Sequence, residues 1–201
     1  TVTQPITVHP YVSRILNEDD WKTIARVEAA GKAKNYWSDG DYEEVVLNGT
    51  VGTLSFDNET YRAFIIGIDH NEELEGKGIH FSFAKLEDGT NVAFTDSAYE
   101  TYNATNGFTM STSSTGGSRV GWNHSYIRRF ICPRFVYALP YDLQEVLKTA
   151  TKYTNNTGGS NEARYVTATQ DDILLLSPYE LTGVSHTNIN STEASYQEQY
   201  S

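Results

Sequence analysis

The chain has 201 residues and a formal net charge of −11. Hydrophobic residues make up 38% of it, which is enough apolar material for one packed domain. The acidic surplus repels phosphate backbones and argues against nucleic-acid binding as the main function. The longest apolar stretch, about six residues at 63–68, is far below the roughly 20 that a membrane-spanning helix needs. The single cysteine, Cys132, excludes an internal disulfide and a cysteine-based zinc site.

Residues 1–16 alternate β-branched and polar positions and contain two prolines, so an extended lead-in from a preceding domain is expected. The sequence has no initiator Met and no signal-peptide pattern, and the chain is expected to be a piece of a longer polypeptide.

The clearest predicted helix covers residues 18–30. Asn17 is its predicted N-cap, and Gly31 is its predicted end. An apolar stripe at helical spacing comprises Trp21, Ile24, Ala25 and Ala29.

Residues 42–94 show the alternation that is typical of β-strands. Hairpin turns are predicted at Asn48-Gly49 and at Asp88-Gly89. A long surface loop, rich in Thr, Ser, Asn and Gly, is predicted at 101–121. The predicted strands are 42–47, 50–56, 61–68, 79–86 and 91–95.

Two further helices are predicted in the second half of the chain. The first covers 123–131, where Asn123 caps the start and Pro133 prevents continuation; the second covers 140–150 and begins at Pro140.

The apolar residues 173–176 are predicted to form a short buried strand, and Ser177 and Glu180 form a capping box for a helical turn that ends at Gly183. The predicted fold class is therefore α+β, with a mainly antiparallel sheet and about three helices. The predicted core comprises Trp21, Phe64, Ile66, Ile68, Phe81, Phe83, Leu143 and Leu147.

The loop DHNEELEGKGIH at 69–80 resembles a calcium-binding loop only in part. Leu74 stands where the tight turn needs Gly, and His80 stands where a bidentate Glu is needed. A solvated charged loop is the preferred interpretation, and no metal ligand is predicted. Asp69 and His70 are predicted to contact a ligand.

Two tryptophans lie beside Gly, Asn, Ser and Asp residues, as often in sugar-binding sites. Trp37 and Asp39 belong to NYWSDGD, and Trp122 and Asn123 belong to GWNHS. These four residues are the other predicted ligand contacts. The alternative is that each Trp is a core residue, which is the commoner position for a Trp at the start of an element.

Residues 119–134 contain no acid and four arginines, Arg119, Arg128, Arg129 and Arg134. This cluster either pairs internally with the acidic loops or forms an assembly interface with an acidic neighbour. No nucleophile motif or phosphate-binding loop is present, and no carboxylate spacing singles out a glycosidase pair. Cys132 is interpreted as a buried apolar residue. The sequence predicts no catalytic residue and no cofactor.

Seven segments, in their order and spacing, resemble a domain of unknown function of the DUF6273 type: NYWSDGD, LNGTVGTL, AFIIGIDHN, GIHFSF, GWNHSYIRR, LPYDLQEVLKTATKYT and ILLLSPYELTG. This type is widespread in gut Firmicutes and their phages, typically as a C-terminal module of virion or bacterial surface proteins. The resemblance covers roughly residues 21–200 and implies a C-type-lectin-like architecture, related to that of formylglycine-generating enzymes. Members usually continue past a YQEQY-like segment into late strands.

The resemblance implies three parts: the lead-in at 1–16, an α+β domain at 17–184 and a polar segment at 185–201 that leads into further strands. It also implies a non-enzymatic phage virion component, a tail-tip, fibre or head-decoration adhesin that binds host-surface glycan or protein. The expected partners include other virion subunits in a homo-oligomer, and neither nucleic acid nor membrane insertion is expected. The alternatives are a purely structural decoration domain and an adhesion module of the bacterial cell surface. An enzyme descended from the formylglycine-generating scaffold is disfavoured because the catalytic cysteine pair is missing.

Overall fold

The computed structural model describes residues 11–52, 54–86, 121–156, 162–184 and 199–200. Within these residues the chain has an α+β fold with antiparallel sheets, as the sequence predicts. The helices are α1 (Trp21–Ala29), α2 (Glu72–Glu75), α3 (Cys132–Ala138), α4 (Tyr141–Gln144) and α5 (Pro178–Thr182). The strands are β1 (Tyr42–Val51), β2 (Leu54–Ile68), β3 (Ile79–Leu86), β4 (Ala150–Asn155) and β5 (Val166–Asp171). Several predictions fall on residues outside the described ranges: the turn at Asp88-Gly89, the strand at 91–95, all but the last residue of the loop at 101–121, Arg119, the first ten residues of the lead-in and most of the segment at 185–201.

The larger sheet joins β1, β2 and β3 in that order, with antiparallel pairing. The bounds of β3 are those predicted. The predicted hairpin turn at Asn48-Gly49 is wrong, because β1 continues through both residues to Val51. The register with β2 shifts between Leu47 and Gly49. At this bulge Gly49 adopts a φ of 128°, a backbone conformation that a residue with a side chain would disfavour.

The strand predicted at 50–56 is divided between two strands, because residues 50–51 end β1 and residues 54–56 begin β2. Strand β2 then continues through the strand predicted at 61–68. Asn58, near its middle, has a φ of 54°, a left-handed conformation that Asn tolerates better than most residues. The core face of β2 is formed by Tyr61, Ala63 and Ile65. The predicted core residues Phe64 and Ile66 therefore lie on the less buried face of the strand.

The other predicted core residues lie in or against the core. Trp21, Ile68 and Leu143 are buried, and three further side chains are partly buried and pack against them: Phe81, Phe83 and Leu147.

Helix α1 begins at Trp21 because its N-cap is Asp20 and not Asn17. The Asp20 carboxylate accepts a hydrogen bond from the N–H of Thr23 at 2.6 Å. The side chain of Asn17 instead accepts from the N–H of Glu44 at 2.7 Å and fixes the start of the domain to β1.

Helix α1 ends at the predicted place, where Gly31 has a φ of 65°. Ala29 is exposed, so its assignment to the apolar stripe is wrong. The buried face comprises Trp21, Ile24, Val27 and Glu28.

Pro133 does not end a helix. It lies in the first turn of α3, where its missing N–H leaves no hydrogen bond unmade, and a π-helical turn, Ile127–Ile131, leads directly into it. Asn123 caps no helix with its side chain. The helix predicted at 140–150 is shorter, since α4 ends at Gln144.

Strands β4 and β5 form a second antiparallel sheet, which the sequence pattern did not predict. Residues 173–176 are half-buried and irregular rather than a strand. Helix α5 has the predicted capping box of Ser177 and Glu180 and ends at Gly183. The carboxylate of Glu180 also forms a buried ion pair with Lys152 of β4.

Candidate functional site

The two tryptophans that were candidates for sugar stacking are buried. Trp37 is 2% exposed and Trp122 is 1% exposed, so neither ring offers a face to a ligand in this structure. Both are instead part of the hydrophobic core, as the alternative interpretation has it. Asp39 is exposed.

Trp122 belongs to a hydrogen-bonded cluster centred on Asp171 of β5. The Asp171 carboxylate accepts from the Trp122 indole N–H at 2.9 Å, from Arg128 Nε at 2.6 Å and from the Thr169 hydroxyl at 2.6 Å. Nη1 of Arg128 also donates to the carbonyl and to the side chain of Asn123, both at 3.2 Å. Asp171, which the sequence did not single out, thus links Trp122, a predicted ligand contact, to Arg128, a predicted interface residue.

Arg129 and Arg134 are exposed, in contrast to Arg128. The guanidinium of Arg129 lies 5.7 Å from the ring centre of Phe130, which is 43% exposed. Tyr137 on α3 is 79% exposed, and Tyr141 at the start of α4 is 73% exposed. We call Arg129, Phe130, Arg134, Tyr137 and Tyr141 the aromatic–arginine stripe.

Asp69, at the end of β2, forms a carboxyl pair with Glu28 of α1. Glu28 is 7% exposed, and its burial together with the hydrogen bond to Asp69 raises its pKa to about 7. Burial opposes the ionisation of Asp69, but the hydrogen bond from Glu28 and the charges of Lys77 and Lys34 outweigh it and lower the pKa of Asp69. Each lysine Nζ lies 3.7 Å from Asp69 Oδ2.

His70 contributes to a ring cluster with Tyr200 and His80. Its imidazole stacks on the Tyr200 ring at 3.9 Å and 18°. The Tyr200 hydroxyl lies 2.7 Å from Nδ1 of His80, and Nε2 of His80 lies 2.9 Å from Oε2 of Glu75. The second oxygen of Glu75 accepts from the N–H of Thr151 at 2.7 Å. We call these three linked side chains the Glu75–His80–Tyr200 chain.

The Glu75–His80–Tyr200 chain forms part of the wall of a cleft of about 680 Å³. The cleft lies between α1, β3 and the segments at 146–150 and 172–176. The cleft has the volume that small-molecule sites usually have. Its walls are mainly apolar, with Trp21, Ile24 and Phe81 among them. The polar and charged side chains that line it include Glu28, Glu75, Lys77, His80, Lys148 and Tyr200.

Cys132 is buried, and this burial raises the pKa of its thiol to about 12, so that it is protonated at neutral pH. Among the described residues, no group of three or more His, Cys, Asp or Glu side chains is arranged to hold a metal ion. Within the same residues, no helix is both long enough and apolar enough to cross a membrane.

Several of these residues were missed at the sequence level. Asp171, Glu28, Glu75 and Tyr200 belong to clusters whose members are distant in the sequence, and no local pattern marks them. The aromatic–arginine stripe had a signal, because Phe130, Arg134 and Tyr137 are spaced as neighbours on one helix face.

Comparison of the chain with protein-family models, with curated proteins and with solved structures gives no match. The resemblance to the DUF6273 type and the C-type-lectin-like architecture that it implies therefore stay predictions.

Proposed function

We propose that the chain is a non-enzymatic recognition module of a phage virion, or of a bacterial cell surface, and that it binds a protein partner through the aromatic–arginine stripe. The observation that carries this proposal is the exposure of Tyr137, 79%, one helical turn from the exposed Arg134. Tyr141, at the start of the next helix, is 73% exposed. Tyrosine and arginine dominate the binding energy of many protein interfaces. Aromatic rings that contribute little to the core of their own domain are available to a partner.

The charge of the stripe favours an acidic partner surface. Within the described parts of the chain, no ion pair involves Arg129 or Arg134. Carboxylates on a partner would therefore pair with both guanidiniums without breaking an ion pair among the described residues. A protein is favoured over a glycan because Trp37 and Trp122, the rings proposed for sugar stacking, are buried.

The leading candidate for the partner is a host-surface protein, in agreement with the adhesin role that the family resemblance implies. A second candidate is a neighbouring copy of the chain in a virion lattice. The chain's own composition favours this second candidate, because 26 acidic residues against 15 basic ones give each copy ample negative surface.

Flow cytometry tests the adhesin role, with the fluorescently labelled full chain on a panel of intact gut Firmicutes strains. We expect labelling of a subset of strains and its loss when the cells are treated with protease. Tyr137→Ser with Tyr141→Ser, and separately Arg129→Glu with Arg134→Glu, should remove most of the signal. Lys32→Glu, an exposed change outside the stripe, is the matched control. Labelling that survives both stripe variants would contradict the proposal.

Light scattering over a wide concentration range separates the two candidates. A neighbouring copy as partner predicts that the mass rises with concentration, that salt suppresses the rise and that both stripe variants abolish it. A chain that stays monomeric at every concentration and labels no strain would refute a recognition function for the stripe.

A further inference from the structure

We propose that the cleft binds a small neutral amphiphile with an aromatic or aliphatic body and a hydroxyl head, and that this head donates a hydrogen bond to the Tyr200 hydroxyl oxygen. The site is separate from the aromatic–arginine stripe, because no residue of the stripe lines the cleft.

The walls of the cleft determine the body of the ligand. Trp21 and Phe81 line it edge to face, with ring centres 5.3 Å apart, and Ile173 to Leu176 form an aliphatic wall. A volume of about 680 Å³ accommodates a drug-sized molecule. Apolar walls of this kind gain free energy when an apolar body displaces water from them.

The Glu75–His80–Tyr200 chain determines what the head must supply. With Glu75 ionised and His80 neutral, the hydrogen between them is carried by Nε2 of His80, because a carboxylate can only accept. Nδ1 of His80 is then the acceptor of the Tyr200 O–H. The phenolic oxygen of Tyr200 has then used its hydrogen and keeps its lone pairs, so it can accept a hydrogen bond from a ligand.

The charges around the cleft favour a head without charge. Lys77 and Lys148 bring positive charge to its rim, while Glu28 and Glu75 bring carboxyl groups to its wall. Lys77 is already paired with Asp69 and Glu72, and Nζ of Lys148 donates to the carbonyl of Lys77. A charged head of either sign would meet both attraction and repulsion in this cleft and would also lose its hydration, whereas a hydroxyl head meets no like charge and costs less to desolvate.

Four probes of matched shape test this inference on the unmodified full chain: 4-ethylphenol, ethylbenzene, 4-ethylbenzylammonium and 4-ethylbenzoate. Calorimetry gives the affinities, and competition between the probes shows whether they share one site. We expect 4-ethylphenol to bind about 3- to 10-fold more tightly than ethylbenzene, as one net hydrogen bond allows, and more tightly than either charged probe.

Tyr200→Phe should abolish the preference for the phenol and leave the affinity for ethylbenzene unchanged. Tyr137→Phe, which removes an exposed hydroxyl, is the control and should keep the preference. Ala25→Leu, which adds volume to the cleft wall, should weaken all four probes.

Three results would overturn the inference. Equal binding of the phenol and of ethylbenzene to the unmodified chain would show that no head group is recognised. A preference that persists in Tyr200→Phe, or an equal loss of all probes in that variant, would exclude Tyr200 as the acceptor. Failure of every probe to bind would refute the cleft as a site and leave the proposal for the stripe untouched.

Discussion

Arg128 and Arg129 are neighbours in the sequence and have opposite surroundings. The Arg128 side chain is 21% exposed, and it donates to Asp171 and Asn123. Arg129 is exposed and contacts Phe130 within the stripe. On the inner side of this helical segment, Arg128 forms several hydrogen bonds within the domain. On its outer side, arginine and tyrosine side chains are exposed to solvent. The difference separates residues that the fold needs from residues that only a partner would need.

The largest expected effect lies among the inner polar groups, at the buried pair of Lys152 and Glu180. Their side chains are 3% and 4% exposed. Glu180→Ala leaves the lysine charge buried without its counter-ion, and we expect a loss of about 3–5 kcal/mol in the free energy of unfolding. Urea unfolding measures this loss. Glu162→Ala, which breaks an exposed pair with Arg164, should cost less than about 0.5 kcal/mol. Equal losses in the two variants would contradict the prediction.

Asp171→Ala is expected to cost about 2–3 kcal/mol, because the Trp122 and Arg128 donors are then left unsatisfied in a partly buried site. The neighbouring Asp172→Ala is the control, since Asp172 is exposed and, among the residues that the structure describes, accepts from the Thr149 hydroxyl alone. Chemical denaturation of both variants, at the same pH, checks the difference. A small loss in Asp171→Ala would mean that this cluster does not hold the two segments together.

The carboxyl pair of Glu28 and Asp69 predicts a pH-dependent difference. The pKa of Glu28 is raised to about 7 in the folded chain, so the wild type loses stability as the pH rises from about 4.5 to 7, and the loss is complete above that range. Glu28→Gln cannot ionise. Its free energy of unfolding, relative to that of the wild type, should therefore rise by roughly 2 kcal/mol when the pH is raised from 5 to 8.

Thermal unfolding of the wild type and the variant at pH 5 and at pH 8 measures this rise. Glu73→Gln, a change at an exposed glutamate, is the control. A difference between wild type and Glu28→Gln that is the same at pH 5 and pH 8 would exclude a raised pKa.

The sequence predicted those features of the fold that local rules determine. The bounds of β3, the end of α1 at Gly31 and the capping box of α5 follow from alternation and from capping chemistry. The turn assigned to Asn48-Gly49 was wrong because the same dipeptide also suits a bulge, and pairing with β2 decides between the two. Pro133 was misjudged for a similar reason, since a proline is equally suited to the first turn of a new helix.

The candidate sites were less predictable because they depend on contacts between distant segments. Nothing near Trp122 indicates that Asp171 accepts its indole hydrogen bond, and nothing near His80 indicates Tyr200. Trp37 and Trp122 belong to the core because both are buried. A sequence pattern indicates which face of an element is buried on average, but not whether one particular ring is. The sequence left open whether the arginine cluster pairs internally or forms an interface, and among the arginines that the structure describes one is internal and two are exposed.

The smallest expected effect on stability lies on the outer side, at the stripe. Tyr137→Ser and Tyr141→Ser remove rings that are mostly in water, so each should change the free energy of unfolding by less than about 0.5 kcal/mol. Phe135→Ala, on the buried side of the same helix, should cost about 3–5 kcal/mol. Urea unfolding at low protein concentration is the appropriate measurement, because association cannot then contribute. The urea dependence should keep its slope in the tyrosine variants, since their unfolding exposes nearly the same surface. A loss above 1 kcal/mol in either one would show that the ring supports its own domain, and the stripe would lose its claim to be a surface kept for a partner.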